Sequence, residues 1–205
     1  MQDLFERRVQ AAGLRGIFRT ATRSDQAAWK DFYAHYADLV IAPTAGEAAA
    51  RLVLPAVPEE VLLSAGVPVL LIPDLWKAEE LGRRVVVAWN ASREATRALH
   101  DALPLLAKAK NVTLFAYDPR QRVMREEMDL LIAHLSAHGI TAEPFTWPAT
   151  GDIVASDALS SCLSEVDADL IVAAAYGRST RLEHLFGGMS AELVNTLTVP
   201  VLLSH

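Results

Sequence analysis

The chain has 205 residues, of which 52% are apolar, so it is long enough for one large domain or two small ones with a substantial core. Its 25 acidic and 19 basic residues give a net charge of −6, which disfavours nucleic acid as a partner because that binding depends on clustered Lys and Arg. No apolar run approaches the roughly 20 residues of a membrane span, and the single cysteine excludes an intrachain disulfide and fits a reducing cytoplasm.

The first 73 residues predict a short alternation of helices and strands. The expected helices are residues 2–12, 25–36 and 58–64, and the expected strands are residues 16–20, 39–42 and 67–72. A short charged linker, residues 74–82, follows them.

Residues 83–205 alternate more regularly between strands and helices. The predicted strands are 84–89, 112–117, 140–146, 170–175 and 199–203, and the predicted helices are 93–108, 124–138, 152–165 and 190–198. Ser92 is the expected N-cap of the first of these helices, Gly139 the expected left-handed residue after the second, and Pro144 places its strand near a sheet edge. This alternation predicts an open parallel α/β sheet with helices on both faces.

Two segments of the chain recur at almost the same offset. Ala37-Asp38-Leu39-Val40-Ile41-Ala42 returns from position 168 as Ala168-Asp169-Leu170-Ile171-Val172-Ala173, and Val67-Pro68-Val69-Leu70-Leu71 returns from position 199 as Val199-Pro200-Val201-Leu202-Leu203. We interpret this as a duplicated unit: residues 1–73 are a partial copy, 74–82 the linker and 83–205 a complete copy. The partial copy lacks about 40 residues that match the first strand, first helix and second strand of the complete one.

A glycine-rich run follows the strand at 170–175 and precedes the last predicted helix. Glycines let main-chain N–H groups approach a phosphate closely, and a helix N-terminus adds further donors and a positive dipole end. Arg178 and Arg181 can add positive charge, and the hydroxyl of Ser190 can donate a hydrogen bond to a phosphate oxygen. The carboxyl ends of parallel strands are where open α/β sheets usually bind ligands.

This run resembles the nucleotide signature of the universal stress protein family, in which Gly, two residues, Gly, nine residues and Gly are followed by Ser or Thr. Gly177 and Gly187 match the second and third glycines with a nine-residue spacer. The resemblance covers the whole second copy, the first copy resembles the back half of such a domain, and tandem members are common in the family.

The resemblance implies a Rossmann-like fold of the adenine nucleotide alpha hydrolase type and a cytoplasmic regulatory or ligand-sensing module of the stress response. It also implies that the second copy binds ATP, ADP or AMP with Mg²⁺. The candidate nucleotide-binding residues are Ala88, Trp89, Asn90, Ser92, Ala174, Gly177, Arg178, Ser179, Arg181, Gly187, Gly188, Met189 and Ser190.

Three positions depart from the family pattern. Ala174 replaces the first glycine, Gly188 stands where Ser or Thr follows the last glycine (Ser190 is two positions on), and Asn90 stands where nucleotide-binding members carry an Asp. The alternative is therefore an interaction scaffold with a vestigial pocket or one that holds an apolar ligand. The first copy has neither an Asn90 counterpart nor the glycine signature, so we do not expect it to bind nucleotide.

Catalysis has little support in the sequence, which predicts at most slow nucleotide hydrolysis. No His-Glu-Xaa-Xaa-His, cysteine-pair or Gly-Xaa-Ser-Xaa-Gly motif occurs. His134 and His138 share a helix face at i, i+4, but no third metal ligand is evident near them. Cys162 reads as a small buried hydrophobe, and Trp89 reads as a core aromatic or as a wall of the pocket.

In the family the last strands of two domains pair antiparallel, which implies that residues 67–72 pair with 199–203 inside this chain as a pseudo-dimer. The strand at 39–42 then lacks its usual neighbour and leaves backbone groups bare. We predict that residues 16–20 move in beside it to repair a three-strand sheet, with homodimerisation as the alternative.

Overall fold

The computed structural model describes residues 1–20, 35–44, 66–73, 76–77, 80–118, 121–148, 153–174 and 198–204. The helices of this part are α1 (Gln2–Ala11), α2 (Arg93–Leu106), α3 (Gln121–Ala137) and α4 (Ala155–Glu165). The strands are β1 (Val40–Pro43), β2 (Val69–Ile72), β3 (Arg84–Ala88), β4 (Asn111–Asp118), β5 (Ala142–Pro148), β6 (Leu170–Ala174) and β7 (Val201–Ser204). None of the described helices combines the length and apolarity needed to cross a bilayer.

The seven strands form one sheet in the order β1-β2-β7-β6-β3-β4-β5. Five of the six neighbouring pairs are parallel, and the sixth, between β2 and β7, is antiparallel with Leu70 opposite Leu202. The predicted α/β fold and the predicted antiparallel pairing of the two terminal strands are both confirmed. β5 lies at one edge of the sheet, as Pro144 indicated.

The sequence repeat is also a repeat of strand register. Val40 pairs with Val69 in the first half, and Ile171 pairs with Val201 in the second, so positions equivalent in sequence are equivalent in pairing. Leu70 and Leu202 are themselves equivalent, because 70 plus the offset of 132 is 202, and they face each other across the β2–β7 pair. The two strand pairs are therefore related by a local two-fold axis that passes between these leucines.

Helices cover both faces of the second half. Since successive strand residues point to opposite faces, Val85 and Val87 of β3 pack under α2 and α3, whereas Val86 and Ala88 pack under α4. All four side chains are buried, which explains the near-continuous apolar run of this strand. Cys162 of α4 is fully buried in the same core, as predicted.

The start of α2 and the end of α3 have the capping residues that the sequence predicts. The Ser92 hydroxyl oxygen accepts the Ala95 N–H at 3.0 Å, and Gly139 takes a φ of +73° after α3. α2 is also tied to β7, because the Ser204 hydroxyl donates to the Asp101 carboxylate, which accepts Arg97 Nε at 2.9 Å. These contacts hold the first helix of the second half against the β2–β7 pair.

The predicted strand at residues 16–20 is wrong. This segment has no strand structure and folds back on α1, where a Cβ built on Gly16 would lie 2.7 Å from Phe5 Cζ, and the rings of Phe5 and Phe18 lie 5.6 Å apart. Local apolar contacts with the preceding helix thus hold the residues that were expected to pair with β1. Residues 16–20 therefore do not complete the expected three-strand sheet, and β1 is the outermost of the described strands, with Ile41 64% exposed.

Other predicted elements lie wholly or largely outside the described residues. These are the helices at 58–64 and 190–198 and most of the helix at 25–36, whose last residue, Tyr36, lies in a turn. The boundaries of the remaining elements differ from the predicted ones by three residues or fewer, as is usual where helix and strand ends fray.

Candidate functional site

The sheet reverses its direction of growth between β3 and β6. From β3 the chain adds β4 and then β5 on one side, and it then crosses over to place β6 on the other side of β3. Helices lie on opposite faces at this point, with α2 after β3 and α4 before β6. Such a switch point leaves a crevice at the carboxyl ends of the two strands, where ligands of open α/β sheets bind.

The loop from Trp89 to Ser92 lies at the carboxyl end of β3 and is held by three hydrogen bonds, one between backbone groups and two in which a side-chain oxygen accepts a backbone N–H. The Trp89 N–H donates to the Phe115 carbonyl at 2.8 Å, which continues the β3–β4 pairing one residue past the strand. The Asn90 side-chain oxygen accepts the Ser92 N–H at 3.1 Å, and Ser92 in turn caps α2. The chain therefore passes from β3 to α2 through a single hydrogen-bonded turn of the kind that Asn favours.

Asn90 has a side chain that can form hydrogen bonds at this edge. Its side chain is half-buried, and its Oδ1 is engaged in the turn. The Nδ2 group adds two hydrogen-bond donors to the site. An amide here is neutral, so it suits an uncharged or anionic acceptor on a ligand better than a carboxylate would.

Ala91 adopts a left-handed conformation with a φ of +57°. For a residue other than glycine this conformation costs about 1–2 kcal/mol. Backbone strain of this kind concentrates at functional sites, where the surrounding structure over-determines it. Here the Asn90 turn on one side and the capped α2 on the other enforce it.

The structure separates the predicted site residues into three groups. Ala88 and Trp89 are buried core residues on opposite faces of the sheet, and the Trp89 Nε1–H is buried without a hydrogen-bond partner. Asn90, Ser92 and Ala174 are half-buried at the carboxyl edge. The other predicted residues lie outside the described part of the chain, namely Gly177, Arg178, Ser179, Arg181, Gly187, Gly188, Met189 and Ser190.

The strand register brings Ala174 to the Asn90 loop. Val87 pairs with Val172, so continuing both strands by two residues places Trp89 opposite Ala174. The chain enters the glycine-rich segment directly after Ala174, beside the residue that precedes Asn90. Both sequence features that suggested a nucleotide therefore start at one point on the sheet edge.

Tyr117 contributes to the same end of the sheet and was not singled out from the sequence. Its hydroxyl donates to the Ile153 carbonyl at 2.8 Å, which joins the carboxyl end of β4 to the segment that leads into α4. A tyrosine near the end of a strand gives no sequence signal of such a contact, because its partner is a backbone group 36 residues away.

A histidine cluster lies between α2 and α3, away from this edge. The rings of His134 and His138 have centroids 4.9 Å apart, and His100 of α2, which sequence analysis had not linked to them, lies 5.3 Å from His134. The His100 Nδ1 bonds to the Thr96 carbonyl at 2.7 Å. Among the described residues no group of three or more His, Cys, Asp or Glu could hold a metal ion.

An open groove of about 1300 Å³ lies in the first half, between α1 and the segment that follows it. Its apolar lining comes from Phe5, Val9, Leu14, Ile17 and Tyr36. α1 has no buried residue, so this groove is a feature of a loosely covered surface and not of the switch point.

Cys162 is chemically protected by its position. Burial raises the pKa of its thiol to about 12, and the nearby Glu165 carboxylate adds to the effect. The thiol is therefore protonated near neutral pH, and its role in the structure is that of a packed hydrophobe.

Proteins similar to this chain are found among the solved structures. No protein-family profile matches the chain, and no curated protein matches it. A universal stress protein from Archaeoglobus fulgidus matches 100% of this chain and 74% of its own, with a TM-score of 0.73 and 19% identity. A putative universal stress protein from Pseudomonas aeruginosa matches 99% of this chain and 76% of its own, with a TM-score of 0.59 and 15% identity.

A third similar structure is a universal stress protein in complex with cAMP. It matches 62% of this chain and 98% of its own, with a TM-score of 0.50 and 23% identity. At identities below 25% this similarity concerns the fold alone, and the fold of this chain is the mostly parallel α/β sheet described above. The chain therefore has the fold of the universal stress proteins.

Proposed function

We propose that the second copy, residues 83–205, binds an adenine nucleotide at the carboxyl edge of β3 and β6 and acts as a ligand-sensing module. The observation that carries this proposal is the switch point, because it places the Asn90 loop and the start of the glycine-rich segment side by side. This is where the α/β sheet offers a crevice with strand ends below it and a helix N-terminus beside it.

The chemistry of the edge supports a nucleoside or its phosphate as ligand. Asn90 contributes amide donors, and α2 starts directly after the loop with its N-terminus at this edge. The run from Gly177 to Ser190 supplies glycines, two arginines and hydroxyls of the kind that surround phosphates. The universal stress protein solved with cAMP has a similar fold, which supports an adenine nucleotide as the first ligand to test.

The proposal is for binding, with hydrolysis slow at most. It places the protein in the cytoplasm as a regulatory module of the stress response, with ATP, ADP or AMP and Mg²⁺ among the ligands. The alternative, a scaffold with a vestigial pocket, draws on Ala174 in place of the first signature glycine and on the engagement of Asn90 Oδ1 within its own turn.

Calorimetric titration of the full chain with cAMP, AMP and ATP, the last with and without Mg²⁺, tests the proposal. We expect saturable binding of at least one of them. Asn90→Ala should weaken that binding about tenfold, since one hydrogen bond to a polar ligand is lost. Asn111→Ala is the matched control, because Asn111 lies at the amino end of β4 on the opposite edge of the sheet, and it should leave binding unchanged.

Asn90→Asp separates the turn from the ligand contact. A carboxylate oxygen can still accept the Ser92 N–H, so the loop should keep its shape, and the residue matches the one that nucleotide-binding members of the resembling family carry. Because this variant loses the Nδ2 donors and gains a negative charge, we expect it to keep the loop but to bind nucleotide more weakly than the parent chain, as Asn90→Ala does. Absence of heat from all three nucleotides at millimolar concentration, in both the parent chain and this variant, would favour the scaffold.

A further inference from the structure

The outer edge of β1 is equivalent to a sheet edge that is occupied elsewhere in this molecule. The register of β1 on β2 matches that of β6 on β7, as described above, and β6 carries β3 on its other side. The described part of the chain supplies no strand at the corresponding side of β1. The second half therefore shows which kind of segment this edge is shaped to receive.

The backbone groups that face outward from β1 can be assigned from its inner pairing. The N–H groups of Val40 and Thr44 donate to the carbonyls of Pro68 and Ile72. Because backbone groups alternate in direction along a strand, those of Leu39 and Ile41 face the outer edge. Pro43 has no N–H, so pairing at this edge ends there and can accommodate only a short strand.

Asp38 gives this edge a specific recognition group. Its equivalent in the second half, Asp169, is 7% exposed, and its carboxylate accepts the N–H groups of Arg83 and Arg84 at 3.0 Å each. These are the first backbone donors of the strand that lies beside β6. Asp38 is exposed, and within the described residues no N–H group occupies the equivalent position.

We propose that the outer edge of β1 is a docking site for a short extended apolar segment of a partner protein. The segment adds as a parallel strand, as β3 does beside β6, and its first two backbone N–H groups bind the Asp38 carboxylate. An apolar, β-branched segment fits because Ile41 offers an apolar side chain that is 64% exposed and because β3 is valine-rich. Main-chain hydrogen bonds and alternate side-chain contacts are the basis of this recognition mode.

A second copy of this chain fits the edge less well. Two copies related by a two-fold axis would pair their β1 strands antiparallel, and this arrangement does not reproduce the parallel strand start that Asp169 binds in the second half. The proposal therefore commits to a different polypeptide. It does not depend on nucleotide binding, which concerns the other half of the sheet.

Fluorescence anisotropy of the full chain with a labelled peptide tests the proposal. The peptide carries Arg83 and the β3 residues Arg84–Ala88, with a lysine tail for solubility. Within this protein the Trp89 N–H donates to β4, and the Arg83 carbonyl accepts from β4. Because backbone groups alternate in direction along a strand, the N–H groups of Val86 and Ala88 face β6. N-methylation at the two positions that match Val86 and Ala88 should weaken binding at least tenfold, whereas N-methylation at those matching Val85 and Val87 should not.

Protein variants supply the second half of the test. Asp38→Ala should weaken binding of the unmodified peptide about tenfold, since two charge-assisted hydrogen bonds are lost. Asp129→Ala, an exposed change on α3 at the far end of the sheet, should have no effect. Equal affinities of the two N-methylated peptides, or an unchanged affinity of Asp38→Ala, would overturn the proposal, as would self-association of the chain that the peptide cannot compete away.

Discussion

The β1–β2 and β6–β7 strand pairs share sequence and register but not burial. β6 is buried along its length except for half-buried Ala174, whereas β1 has no fully buried residue. The difference lies in their neighbours: β6 has β3 beside it and helices on both faces, and β1 has one described neighbour, β2. An apolar repeat thus sets the pairing register of a strand, while the elements around it decide how much of it is removed from water.

The comparison also explains why both pairs exist in one sheet. The antiparallel seam joins β2 and β7 through residues that are all buried, namely Val69, Leu70, Leu71, Val201, Leu202 and Leu203. Burial of this seam stabilises the first half, in which none of the described residues forms a strand beyond β1. The first half is therefore stabilised from one side, and variants at equivalent positions should differ in effect.

The two equivalent aspartates should show the largest contrast. Asp169→Ala removes a buried carboxylate and leaves two N–H groups of the β3 start unpaired, so we expect a loss of about 3 kcal/mol in the free energy of unfolding. Asp38→Ala changes an exposed side chain and should cost less than about 0.5 kcal/mol. Urea unfolding followed by circular dichroism measures both. Comparable losses at the two positions would mean that the Asp38 carboxylate accepts hydrogen bonds that stabilise the fold as much as those of Asp169.

The equivalent apolar positions, Val172 and Ile41, should show the next contrast. Val172 is fully buried between β3 and β7, so Val172→Ala should lower the free energy of unfolding by about 2 kcal/mol through lost burial and a residual cavity. Ile41 is 64% exposed, and Ile41→Ala should cost under about 0.5 kcal/mol although it removes more atoms. The same urea series tests it, and a larger loss for Ile41→Ala would show that β1 is covered.

Most of the described elements of the second half could be predicted from residues alone, because each carries its own signal. The valine run of β3, the Ser92 cap and Gly139 are local features whose consequence is also local. The antiparallel seam was reached through the repeat and the family resemblance. The strand predicted at 16–20 is wrong because this segment contacts Phe5 and Val9 of α1 instead of pairing with β1. Its strand-like composition does not show which of these two contacts is the more stable.

The positions of Asn90 and Ala174 in the fold could be predicted from the sequence, whereas the local structure around them could not, and their role in a binding site stays a prediction. The order of strands and helices placed both residues at the carboxyl ends of β3 and β6, and they are there. Trp89 and Ala88 instead have their side chains in the core, since strand alternation continues to the last residue of β3 and one beyond. The left-handed Ala91 and the Tyr117 contact depend on three-dimensional closure, which an alanine or a tyrosine does not signal.

Cys162 reports on the stability of the second half, whose core buries it. The pKa of Cys162 is raised from 9.0 to about 12 in the folded chain, so its stabilising protonated form is fully present below pH 9 and is lost as pH rises toward 12. At pH 10 this group alone should lower the free energy of unfolding by about 1 kcal/mol relative to pH 7. Cys162→Ala should be less stable at pH 7 but should lose this alkaline component, which paired urea series at both pH values would reveal. Identical pH dependence in parent and variant would contradict the raised pKa.

The two glycine helix ends give the smallest and most symmetrical contrast. Gly13 and Gly139 both take a positive φ with open space around the Cβ position, and both end their helix with the same pair of hydrogen bonds from the glycine and the residue after it. Replacement by Ala should cost about 1 kcal/mol of local strain at either site. α3 is anchored by the buried Leu135 and Ile140, so Gly139→Ala should lower global stability by that amount. α1 has no buried residue, so Gly13→Ala should only fray α1, visible as faster amide exchange in that helix with an unchanged urea midpoint. A shift of the midpoint by Gly13→Ala would instead mean that α1 unfolds together with the sheet, and that the first half is held by more than its seam.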